Sequence, residues 1–120
     1  MNLEAYNFDP GSLHFKLYQT KQLMSYDEFI LTIENDEPPS NFPLYIQSLW
    51  WDAKGDWPKA HTLIDSLDDK DSCLVHAYLH RKEGDISNAD YWYRRAQKTR
   101  PSESLQAEWK TIAMELLLKS

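Results

Sequence analysis

The chain has 120 residues, which fits one domain, and its five Trp, seven Tyr and four Phe supply bulky material for a core. A net charge of -6 argues against non-specific nucleic-acid binding, which rests on neutralising phosphates. Three glycines are too few for the many tight turns of an all-β fold, and the single cysteine, Cys73, excludes an internal disulfide and suits a reducing compartment.

The first ten residues lack a basic region followed by an apolar run, so no secretory signal is expected there. No apolar stretch approaches the roughly 20 residues of a membrane helix. The expected location is cytoplasmic, without membrane contact. Charge is uneven: residues 1–71 hold 13 acids and 5 bases, net -8, and residues 72–120 hold 6 acids and 8 bases, net +2. Such asymmetry favours association of unlike halves, so self-association into a homodimer is one expectation.

Residues 1–24 read as an N-terminal arm. Asp9-Pro10-Gly11-Ser12 signals a turn. The alternation from Leu13 to Tyr18 fits an extended segment, and a short helix near residues 12–23 is the alternative. Residues 25–120 read as one helical domain. Ser25 with Glu28 forms a capping box ahead of Phe29, Ile30 and Ile33, which predicts a helix over 26–35. Pro38 and Pro39 break the chain. Residues 41–54 then carry Leu44, Ile46, Leu49, Trp50 and Trp51 on more than one side, as in a helix buried between neighbours.

Two corners follow the same pattern. Gly55-Asp56 precedes Ala60, Ile64 and Leu67, and Gly84-Asp85 precedes Ala89, Tyr93 and Ala96. In each, glycine ends one helix in a left-handed turn and aspartate caps the next. The corners lie 29 residues apart, which indicates an internal repeat. The helix between them is expected to be capped by Asp71 or Ser72 and to run to about Glu83. The helix after Gly84 is expected to run to Thr99-Arg100-Pro101. A last helix, capped by Ser102, carries Leu105, Trp109, Ile112 and Leu116 as one stripe, the pattern of a capping helix on an open repeat end.

On Ala89, Tyr93, Ala96 and Pro101, with Gly84-Asp85 at the turn, the second unit resembles a tetratricopeptide repeat. The preceding helix fits less well, since it offers Cys73, His76, Ala77 and His80 where that repeat prefers Trp, Leu, Gly and Tyr. Trp51-Asp52-Ala53-Lys54-Gly55-Asp56-Trp57, Val75 to Asp85 and Tyr91 to Ala96 also resemble a family of small uncharacterised bacterial proteins. The resemblance implies an all-α array of α-α hairpins, with an N-terminal arm and a C-terminal capping helix. It implies a non-enzymatic module that binds a protein or peptide.

The candidate partner-binding residues are Trp50, Tyr78, Arg81, Trp92, Arg94 and Arg95. Aromatic rings beside arginine are the types enriched in binding hot spots. The arginines would read carboxylates, so the expected partner is acidic, and no cofactor is required. The alternative is a metal-binding protein or metal-dependent enzyme built on His76 and His80. At i and i+4 the two rings face one way, and Asp52, Asp56, Glu83 or His61 could complete a metal site. Zinc-peptidase helices place a Glu directly after the first His, and here Ala77 stands there. Cys73, among Leu74, Val75 and Ala77, reads as a small core residue rather than a nucleophile.

Overall fold

A computed structural model describes residues 22–120. The turn at residues 9–12 and the extended or helical segment expected before residue 22 lie outside the described residues. Among the described residues there are six helices and no strands: α1 (Tyr26–Thr32), α2 (Leu44–Ala53), α3 (Trp57–Ile64), α4 (Lys70–Lys82), α5 (Ile86–Arg95) and α6 (Leu105–Lys119). None is long and apolar enough to cross a membrane.

The capping box forms as read: the Ser25 hydroxyl accepts from the Glu28 amide and the Glu28 carboxylate accepts from the Ser25 amide. Helices α2 and α3 make one hairpin, and α4 and α5 make the other. Both corners have the same hydrogen bonds. At the first, the Gly55 amide donates to Asp52 and the Asp56 amide to Trp51. At the second, Gly84 donates to Arg81 and Asp85 to His80. These are Schellman ends, which need the left-handed backbone that Gly55 (φ 89°) and Gly84 (φ 88°) adopt. Asp56 and Asp85 then cap α3 and α5 through the amides of Lys59 and Asn88.

Helix α5 ends earlier than expected. The Gln97 and Lys98 amides close a third Schellman end on Arg94 and Tyr93, with Gln97 at φ 60°. The stop is thus made by backbone hydrogen bonds before Pro101 is reached. Helix α4 begins two or three residues earlier than expected, because Asp69 is its cap in place of Asp71 or Ser72. Helix α6 is capped by Ser104 instead of Ser102, since the Ser104 hydroxyl reaches the Ala107 amide.

Helix α4 is the central element. It packs against α2 and α3 of the first hairpin, α5 of its own, and α6. Every residue from Ser72 to His80 is buried. Trp109 of α6 lies over Phe29 and donates to the Leu49 carbonyl, which seats α6 across α1 and α2. Ser48 donates to the Ala60 carbonyl and holds the first hairpin closed where both side chains are small.

The corners can be tested by their backbone cost. A Cβ at Gly55 or Gly84 meets nothing within 4 Å, so Gly→Ala acts through the left-handed backbone alone. Each should cost about 1 kcal/mol, and Gln97→Gly should add roughly 0.5–1 kcal/mol. Urea unfolding checks both signs, and unchanged midpoints in all three variants would contradict the shared corner geometry.

Candidate metal centre

Three histidines converge where the two hairpins meet. His61 comes from α3, and His76 and His80 come from adjacent turns of α4. One ring nitrogen of each lies within 4.8 Å of the other two. His61 Nε2 and His76 Nε2 are 3.1 Å apart, close enough for one to donate to the other. The His76 and His80 rings stack at 4.9 Å, while His61 stands edge-on to both.

The local sequence explains why these rings meet. The i, i+4 spacing puts His76 and His80 on one face of α4. Asp56 starts α3 one residue before Trp57, and His61 lies one turn further along the face that meets α4. Trp57 stacks on His61 at 5.0 Å and 7°, and its indole N–H donates to the Leu79 carbonyl. That bond fixes Trp57 to α4 and so fixes the ring stacked on it. Trp92 of α5 stacks on His76 at 3.9 Å and 16°. Two indoles therefore wall the cluster.

The outer nitrogens face different surroundings. His80 Nδ1 lies 2.5 Å from Glu83 Oε1, one turn along α4. A carboxylate there accepts from Nδ1–H and leaves Nε2 as the acceptor for the Asn88 amide nitrogen, 3.4 Å away. His61 Nδ1 lies 3.9 Å from Asp65 Oδ2. His76 Nδ1 is buried and has no hydrogen-bond partner among the described residues. A carboxylate on the outer nitrogen is the arrangement that orients histidine ligands toward a metal.

Burial favours the neutral form of two of the rings, His61 and His76. Burial pulls His76 down to about 3, with His61, His80 and Arg95 adding like-charge repulsion. Burial and then His80 also lower His61, against smaller opposing effects from Asp65 and Glu83. Neutral imidazole is the form that binds a metal, so protons compete little for His76 near neutral pH. A second grouping, His80 with Glu83 and Asp85, shares His80 with the first.

Of the metal ligands considered from sequence, His76 and His80 meet, and His61 joins them as the third. Glu83 supports His80 from behind. Asp52 lies elsewhere, paired with Lys82 at 2.8 Å, and Asp56 is spent as the α3 cap. The six candidate partner residues do not form one surface. Trp50 is fully buried, with its indole N–H on Thr32. Tyr78 is buried in the core. Arg81 is spent inside: it reaches the buried Glu108 carboxylate at 2.7 Å, which also accepts from the Tyr93 hydroxyl. Trp92 is half-buried against His76 and beneath Arg95, and Arg94 and Arg95 are exposed. Sequence reasoning passed over Trp57 and Trp92 as walls of the histidine cluster. Their signal was an aromatic four residues before His61 and another one turn after Ala89.

Comparison of the chain with protein-family models, curated proteins and solved structures gives no match.

The buried His76 ring sets a pH dependence for the metal-free protein. An unfolded His76 takes up a proton near 6.5, whereas the folded one resists until about 3. Its contribution is complete above pH 6.5 and is lost progressively as pH falls from there toward 3. The loss should be on the order of a few kcal/mol. Urea unfolding between pH 7.5 and 4.5 measures it, and His76→Leu should fall less steeply than the parent. Parallel curves would exclude His76 as the source.

Proposed function

We propose that this protein binds a divalent transition-metal ion through His61, His76 and His80. The observation that carries this reading is the meeting of three imidazoles from two hairpins, each offering a nitrogen within 4.8 Å of the others. Three imidazoles suit borderline ions such as zinc, copper, nickel and cobalt. Zinc–imidazole bonds are about 2.0–2.1 Å, which places bound nitrogens about 3.3 Å apart. The His61–His76 pair, at 3.1 Å, is already near that spacing. His61, the least buried of the three, gives the ion its way in.

The role supported is binding. Neither of the two described cavities is lined by these histidines. The ion would join α3 to α4 and so tie the first hairpin to the second, in a stack of the tetratricopeptide kind. Three protein ligands leave a coordination position for water or a partner group.

Purified protein stripped with chelator should take up one equivalent of zinc or copper. Each of His61→Ala, His76→Ala and His80→Ala should weaken binding at least tenfold. Copper should also quench the fluorescence of Trp57 and Trp92, which stack on the ligands. Metal content after dialysis together with tryptophan emission provides the check. No uptake by the parent, or uptake untouched by all three substitutions, would end this reading.

A second reading, capture of an acidic protein or peptide, keeps support from the outer side of α5. Arg95 lies over the rings of both Tyr91 and Trp92, and Tyr91 is 46% exposed. Arg94, with Lys98 and Arg100, lines a cavity of about 340 Å³ at the α5–α6 loop. Arg94→Ala with Arg95→Ala should weaken retention of an acidic peptide at least fivefold with no change in the circular dichroism spectrum. Equal retention would remove α5 as a contact surface.

A further inference from the structure

Between α1, α2, α4 and α6 lies a separate cavity of about 340 Å³, not lined by any of the three histidines. Its walls include the rings of Tyr26, Tyr78 and Trp109, and its charged groups are Asp52 and Lys82. The two charges differ in how firmly they are held. The Asp52 side chain is 2% exposed on a short stem fixed in α2. The Lys82 side chain is 39% exposed, on a long stem from the last turn of α4, and its ammonium reaches Asp52 at 2.8 Å. The lysine can swing into solvent, and the carboxylate cannot. The permanent charge of this cavity is therefore negative.

We infer that the cavity is a binding site for a small alkylammonium group, which takes the place of the Lys82 ammonium on Asp52. A buried carboxylate gives such a ligand a charge-assisted hydrogen bond, and aromatic faces give it cation–π attraction. The chain's own cations already use these features. Lys82 occupies the carboxylate, and Lys110 holds its ammonium 5.3 Å from the centre of the Tyr26 ring. Burial, followed by the Asp52 charge beside it, raises the Tyr78 phenol well above its usual range, so it stays protonated and neutral beside the ligand. The acidic half of the chain favours the approach of a cation. Gln106 at the rim offers an amide oxygen to further N–H groups of the ligand.

The test is calorimetric titration of the full chain, with chelator present so that metal plays no part. The probes are 1,4-diaminobutane, N-acetyl-lysine amide and, as the anionic counterpart, butyrate. Either amine should bind and butyrate should not. A preference for the diamine marks a free amine as the ligand, and a preference for the lysine derivative marks a side chain of a partner. Lys82→Met removes the internal competitor and should tighten amine binding at least tenfold. The double variant Asp52→Asn with Lys82→Met leaves no unpaired buried charge, and it should lose amine binding while keeping its circular dichroism spectrum. The inference is overturned if no amine binds the parent or Lys82→Met. It is also overturned if butyrate binds and Lys82→Met weakens it. Should Lys82→Met fail to fold, equal amine affinity in the parent and the double variant would be equally decisive against it.

Discussion

The all-round burial of α4 is the constraint on which the rest depends. An ordinary surface helix hides one stripe, and the remaining residues face water. Here nine consecutive residues, Ser72 to His80, are buried, so every side of the helix needs a neighbour. Four helices supply those neighbours. The apolar members, such as Leu74, Val75 and Leu79, repay burial at about 1.5–3 kcal/mol each for the larger side chains. The polar members do not, and a buried polar group left unpaired costs about 1–3 kcal/mol. Each neighbour of α4 therefore carries a group that answers one of its polar side chains.

Those answers divide between two sides. Toward α3 and α5, His76 and His80 meet His61, the indoles of Trp57 and Trp92, and the Asn88 amide. Toward α2 and α6, Lys82 meets Asp52, and Arg81 meets Glu108, which in turn holds the Tyr93 hydroxyl. The first side gathers imidazole rings able to donate lone pairs. The second gathers buried carboxylates, each bound to a cation of α4. Two unlike chemistries thus sit on opposite contacts of one helix, and each is assembled only when the hairpins pack together. His76 Nδ1 and the Ser72 hydroxyl are buried without hydrogen-bond partners among the described residues. The first of these marks the histidine cluster as the place where internal satisfaction is incomplete.

The stacking also restricts motion. A Schellman end at each corner fixes the direction in which the next helix leaves. The indole N–H of Trp57 on the Leu79 carbonyl ties α3 to α4 across the hairpin boundary. Trp109 on the Leu49 carbonyl does the same between α6 and α2. These long-range bonds come from the largest side chains in the chain, and each pairs its one polar atom with a backbone carbonyl. The aromatic content is therefore used twice, as packing volume and as a set of directional ties.

The sequence by itself determined the helical class, both Gly-Asp corners, the capping box at Ser25 and the placing of His76 and His80 on one face. All of these rest on groups a few residues apart, where backbone geometry decides the outcome. It also indicated a buried character for Cys73 and for Ile46 and Leu49 of α2. The end of α5 at Arg95 was hidden, because two backbone hydrogen bonds can hold the non-glycine residue Gln97 in a left-handed turn that its side chain disfavours. Tertiary structure alone decided that His61, 15 residues before His76, completes the cluster and that Trp57 and Trp92 enclose it. It alone spent Trp50, Tyr78 and Arg81 inside the molecule. Which side of an aromatic or an arginine is buried depends on the helix that arrives from elsewhere in the chain, and local spacing carries no record of that arrival.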